Sequence, residues 1–64
     1  MILADLKTIS TDKAYVYFAN KPYDGTYTDV YKGKLRDLPY SLQDEKVFGV
    51  FARRKGILDI EIER

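Results

Sequence analysis

The sequence predicts one α+β domain over residues 1–64: a four-stranded, mainly antiparallel sheet, an N-terminal helix packed on one face, and a short helical turn between strands 2 and 3. Three features carry that reading. Runs of apolar and polar alternation mark strands, a three- and four-residue apolar spacing marks a helix at the start, and clusters of Gly, Pro, Asn and Asp separate the runs.

Ile2, Leu3, Leu6 and Ile9 recur at helical spacing with Asp5 and Lys7 turned outward, which predicts about two helical turns. Ser10, Thr11 and Asp12 form a polar break. Ala14, Val16 and Phe18 then alternate with Tyr15, Tyr17 and Ala19, as along a strand with two different faces. Asn20, Lys21, Pro22, Asp24 and Gly25 are turn formers, so the chain reverses there. Thr26 to Lys32, rich in Thr, Tyr and Val, is the second strand.

Gly33 ends or bulges that strand, and Leu35, Leu38 and Leu42 follow in a polar segment containing Pro39. Proline suits a first helical turn, where its missing N–H would have no intrahelical partner. Asp37 is placed to cap that turn. PYSLQDE therefore reads as a short helix or 3₁₀ turn, a connector held to the core by Leu38 and Leu42.

Lys46 to Arg53 and Ile57 to Glu63 alternate on either side of Arg54, Lys55 and Gly56, which predicts a hairpin with Gly56 as its left-handed residue. This register pairs Ala52 with Leu58, Val50 with Ile60 and Phe48 with Ile62, all on one face. Val47, Phe51, Arg53, Ile57, Asp59 and Glu61 then fall on the other. With Ala14, Val16 and Phe18 in the core, Tyr15 and Tyr17 join Phe51 on that outer face. The helix and the PYSLQ turn are both needed on the core side, so the outer face is expected to stay partly exposed.

Composition narrows the function. A 64-residue chain buries only about 60% of the surface its unfolded form exposes, and without Cys or His it can use neither a disulfide nor structural zinc. The same absence removes the usual catalytic nucleophiles, acid–base groups and metal ligands. The expectation is a protein that is not an enzyme and needs no cofactor or metal. Eleven basic against ten acidic residues leave a net charge of +1, too little for a field that holds a polyanion. MILADLKTIS lacks the basic start and long apolar core of a secretory signal, and no apolar run approaches a membrane span. A cytoplasmic protein without membrane contact is the default.

Five of the six tyrosines, Tyr15, Tyr17, Tyr23, Tyr27 and Tyr31, lie in one stretch. Tyrosine offers a rigid amphipathic face suited to recognition. Tyr15, Tyr17, Tyr31 and Phe51 are the candidate partner-binding anchors, with the hairpin-tip cations Arg53, Arg54 and Lys55 as rim. Tyr27 and Tyr31, expected to share a face with Asp29, also suit cross-strand packing. Asp59, Glu61 and Glu63 project from one face of a strand, but their alternation with Leu58, Ile60 and Ile62 is what a half-buried terminal strand requires. The loop around Pro22 to Tyr27 lacks the repeated glycines and GK[ST] ending of a phosphate cradle.

The order of a short N-terminal helix, the aromatic strand KAYVYF, a return strand into YKGKLRDLPYSL, and the hairpin EKVFGVFARRKGILDIEIE resembles short uncharacterised proteins of phages and integrated mobile elements of Gram-positive bacteria. In that group a strand ending in glycine leads into an aspartate-hydrophobe-proline turn, matched here by Gly33 and by Asp37, Leu38 and Pro39. The loop NKPYDGTYT is longer than the group's pattern. The resemblance implies no known activity. The expected function is a protein-interaction module, a homodimer through the aromatic face being one version. The alternative is a single-stranded nucleic-acid binder that stacks bases on tyrosines and holds phosphates at the Arg53-Arg54-Lys55 tip.

Overall fold

The structure, a computed structural model, describes residues 1–21 and 24–64. Its four strands are β1 (Lys13–Ala19), β2 (Tyr27–Gly33), β3 (Val47–Arg54) and β4 (Ile57–Ile62), in the order β2-β1-β4-β3. The outer pairings are antiparallel and the central β1–β4 pairing is parallel, so the sheet is mixed. Of the segment expected to close β1 onto β2, the turn former Pro22 and its neighbour Tyr23 lie outside the described residues. Around them Asn20 N–H donates to the Thr26 carbonyl, and the Asp24 carboxylate accepts from both the backbone N–H and the hydroxyl of Thr26.

The N-terminal helix is not formed. Leu3–Leu6 makes a single 3₁₀ turn, and the chain continues with i→i+3 bonding, Ile9 N–H donating to the Leu6 carbonyl. The stripe fails at Ile9, which is 42% exposed. Thr8, Ile9, Ser10 and Thr11 are poor helix formers, since β-branching and competing hydroxyls oppose a further turn. Tertiary bonds hold the segment instead. Leu3 and Ala4 N–H groups donate to the carbonyls of Glu45 and Gln43, and Val47 N–H donates back to that of Met1. Asp5 accepts the Ile2 N–H at 3.0 Å, half of a capping box.

Between β2 and β3 stand two 3₁₀ turns, Leu35–Asp37 and Tyr40–Leu42, in place of one short helix. Proline disfavours the helical region for the residue before it, and Leu38 accordingly sits at φ −56°, ψ 126° and splits the segment. Asp37 lies inside the first turn, and no side chain caps the second, so the expected cap is absent. The anchoring role of the leucines holds: Leu38 is buried and Leu42 packs against the core.

The core lies on one side of the sheet. Ala14, Val16, Ile60 and Ile62 come from the central strands, and Leu3, Leu6, Leu35 and Leu38 from the turns that cover them. Complete burial of a Val, Leu or Ile side chain contributes roughly 1.5–3 kcal/mol, so these positions carry most of the stability. Phe18, Val30, Tyr31, Val47 and Leu58 pack around the rim.

The hairpin register matches the alternation at Ala52↔Leu58 and Val50↔Ile60 and then slips. Val47, not Phe48, faces Ile62, because a bulge shifts the pairing between Val47 and Gly49; Phe48 is left 68% exposed. A second bulge lies in β2, where Val16 faces Tyr31 but Tyr17 faces Asp29. The extra residue there turns Tyr31 to the core side, away from Asp29 and Tyr27.

Gly56 closes the hairpin at φ 80°, and a Cβ there would lie 2.5 Å from Asp12 Oδ2. Its carbonyl accepts N–H bonds from Asp12 and Lys13, at 2.8 and 3.2 Å, which joins the hairpin tip to the start of β1. Gly25 is also left-handed, at φ 73°, but has open space around it. Gly56→Ala and Gly25→Ala are each expected to lose the left-handed penalty of about 1–2 kcal/mol in denaturant unfolding, because the exposed Asp12 carboxylate near Gly56 can swing aside. Adding Asp12→Ala to Gly56→Ala should then change stability little.

Candidate functional site

All three 3₁₀ turns contribute to the core side, and among the described residues no element covers the opposite face of the sheet. Alternation and register place two cross-sheet rows on it: Lys32, Tyr15, Asp59 and Phe51, then Asp29, Tyr17, Glu61 and Gly49. The expected company of Tyr15, Tyr17 and Phe51 is thus present. Tyr31 does not join it, since it packs against the core and donates its hydroxyl to the Lys34 carbonyl at 2.7 Å.

Tyr15 is the centre of the first row. The Arg53 guanidinium lies 4.3 Å from its ring centroid, and the Lys13 and Lys32 ammonium groups approach at 5.8 and 5.9 Å. Such contacts draw cations to the negative face of the ring. Arg53 also forks onto Asp59, Nε to Oδ2 at 2.9 Å and Nη2 to Oδ1 at 2.6 Å. That bond raises the Arg53 pKa, with the Asp59 charge adding to it. Arg54 and Lys55 extend from the hairpin tip into solvent, so of the three predicted rim cations only Arg53 reaches the face.

Tyr17 meets Tyr27 edge to face, centroids 5.2 Å apart at 84°. With Asp29, Arg53 and Asp59 the two rings line a shallow hollow of about 320 Å³. Burial raises the Tyr17 phenol pKa, and the nearby carboxylates Asp59 and Glu61 raise it further. Phe51 folds back along its own strand over Gly49, where a Cβ would meet ring atoms at 3.0 Å, and stays 53% exposed.

Two members of this face escaped the sequence reading. Lys13 stands two residues before Tyr15, and strand parity alone would have placed it there. Lys32 needs the β2 register, which the bulge at Val30 obscures, while Tyr27 shares the face of Asp29 and packs across the strands on Tyr17, as expected. The acids also part company: Asp59 and Glu61 face outward within β4, while Glu63 lies beyond its end. Among the described residues no group of three or more His, Cys, Asp or Glu is arranged to hold a metal ion, and no helix is long and apolar enough to cross a membrane. Comparison with protein-family models, curated proteins and solved structures yields no match.

The raised Tyr17 pKa has a thermodynamic consequence. Above about pH 10 the unfolded chain ionises this phenol before the folded protein does, so the unfolded state binds fewer protons and stability falls as pH rises. Tyr31, raised by its own burial first and by Asp37 second, acts in the same direction. Tyr17→Phe should lessen the alkaline loss of stability. Absorbance titration in the phenolate band should lose one late-ionising tyrosine in the variant; loss of an early-ionising one would contradict the assignment.

Proposed function

We propose that this chain is a non-enzymatic, cytoplasmic protein-interaction module, an accessory of a mobile element, that binds through the uncovered sheet face. Tyr15, Tyr17 and Phe51 are its anchors, Tyr27 extends the aromatic surface, and Arg53, with Arg54 and Lys55 behind it, forms the cationic rim. The partner is a protein or a second copy of the chain. One observation carries the reading: a sheet face bearing four aromatic rings, Tyr15, Tyr17, Tyr27 and Phe51, has no covering layer among the described residues. Aromatic anchors beside arginine are the side chains that dominate interface energetics.

Tyr17 and Phe51 contribute nothing to the buried core, so Tyr17→Ala with Phe51→Ala should leave the fold intact by circular dichroism. Affinity capture from the lysate of a host cell should recover a specific protein, or more of the chain itself, with the native sequence and lose it with the double variant. Identical recoveries would overturn the proposal.

A second reading, single-stranded nucleic-acid binding, is favoured by the three cations around Tyr15. Bases would stack on Tyr15 and Tyr17 while Arg53, Arg54 and Lys55 contact phosphates. It requires oligonucleotide binding that weakens steeply with salt and is reduced by Arg54→Glu. Unchanged fluorescence anisotropy of a labelled oligonucleotide at low salt would eliminate it. Asp29, Asp59 and Glu61 on the same face weigh toward a protein surface.

A further inference from the structure

The charges on the uncovered face are segregated along the strands. Lys13 and Lys32 lie at the Tyr15 end, near Arg53. Asp29 and Glu61 flank Tyr17 at the other end. The ion pairs among the described residues are Arg53–Asp59 and Arg64–Glu45. Lys13, Lys32, Asp29 and Glu61 therefore have no ion-pair partner among the described residues. Two free cations at one end and two free carboxylates at the other form a surface complementary to itself when turned end for end.

We propose that the occupant of this face is a second copy of the chain, packed sheet on sheet about a two-fold axis that crosses the strands near Val16. This rests on the sheet-face reading above and names its partner. The axis lays the row Lys32-Tyr15-Asp59-Phe51 of one protomer over the row Asp29-Tyr17-Glu61-Gly49 of the other. Lys32 then meets Asp29, Tyr15 meets Tyr17, and Phe51, whose ring lies over its own Gly49, meets the Phe51 ring of the other protomer. Asp59 approaches Glu61, with the Asp59 charge already neutralised by the Arg53 fork within its own protomer. A two-fold interface repeats every contact, so each unlike pair forms twice.

The area sets the strength. Strands of six to eight residues, at about 3.3 Å per residue across four strands about 4.8 Å apart, give roughly 400 Å² of plan area per protomer. A standard stable interface buries about 800 Å² on each side. Side-chain relief adds to the plan area without doubling it, so the dimer is weak, reversible and concentration-dependent, with Kd on the order of micromolar or weaker.

Sedimentation velocity over a concentration series tests this with charge-swap variants of exposed residues that the core does not use. Native protein should pass from monomer to dimer. Lys32→Asp alone sets two carboxylates opposite each other, and Asp29→Lys alone sets two lysines so; each should weaken dimerisation at least about tenfold. Mixed in equal amounts, the two variants restore both contacts in a heterodimer, and association should return toward the native level. Tyr17→Ala with Phe51→Ala should remain monomeric. A native protein that stays monomeric throughout overturns the dimer, while the capture comparison still judges the sheet face as a binding surface. A dimer indifferent to the charge swaps and to Tyr17→Ala with Phe51→Ala overturns this face as the contact.

Discussion

The parallel pairing of β1 with β4 is the interaction on which the rest of the molecule depends. It sets Ala14 beside Leu58 and Val16 beside Ile60, at the middle of the core. It also joins two antiparallel pairs, β1–β2 and β3–β4, within one four-stranded sheet. A two-stranded hairpin alone is marginal in water, so neither half holds its shape without the other. Because the partners come from opposite ends of the chain, folding must close a long loop before this contact forms, and an ordered local start has value. The Gly56 carbonyl, accepting from Asp12 and Lys13, sits where that junction begins.

The central pairing also decides which face is covered. The chain leaves β2 at one edge and must reach β3 at the other, and it crosses on the side where Leu35 and Leu38 become buried. The N-terminal segment is bonded to Gln43, Glu45 and Val47, at the end of that crossing, so Leu3 and Leu6 enter the same layer. Among the described residues no segment covers the other side. The side chains there fit that circumstance. Tyr15 and Tyr17 present apolar rings with a polar hydroxyl at the tip, a side chain that suits a half-wet face as well as a buried one.

Local pattern was legible in the sequence, and non-local pairing was not. The alternation of Ala14, Val16 and Phe18 with Tyr15 and Tyr17 gave the correct inner and outer faces of β1, because a strand has a period of two whatever it pairs with. Ala52↔Leu58 and Val50↔Ile60 follow from the turn that joins them. The bulges defeat the same reasoning. One extra residue at Val30 leaves composition unchanged yet moves Tyr31 to the other face, which removed one of the expected anchors. The apolar spacing of Ile2, Leu3, Leu6 and Ile9 marked burial correctly at Leu3 and Leu6, but a stripe that short fits one 3₁₀ turn as well as a helix. Parallel pairing of β1 with β4 has no local signature at all.

The Tyr15–Arg53–Asp59 arrangement bears most directly on what the face accepts. Arg53 spends its ring-facing contact on Tyr15 and its fork on Asp59, which screens the cation and leaves a planar, nearly neutral surface. A phosphate approaching Arg53 would compete with a bidentate carboxylate already in place and meet the Asp59 charge beside it. A base stacking on Tyr15 would have to displace the guanidinium from the ring. A protein surface needs neither change: it can cover the assembled ring, guanidinium and carboxylate as one unit and exclude water from their rim, where electrostatic contacts strengthen on desolvation. Lys32, at the edge of the same ring, and Asp29 have no ion-pair partner among the described residues, so on the proposed reading they can select a partner's orientation without breaking an ion pair within the chain.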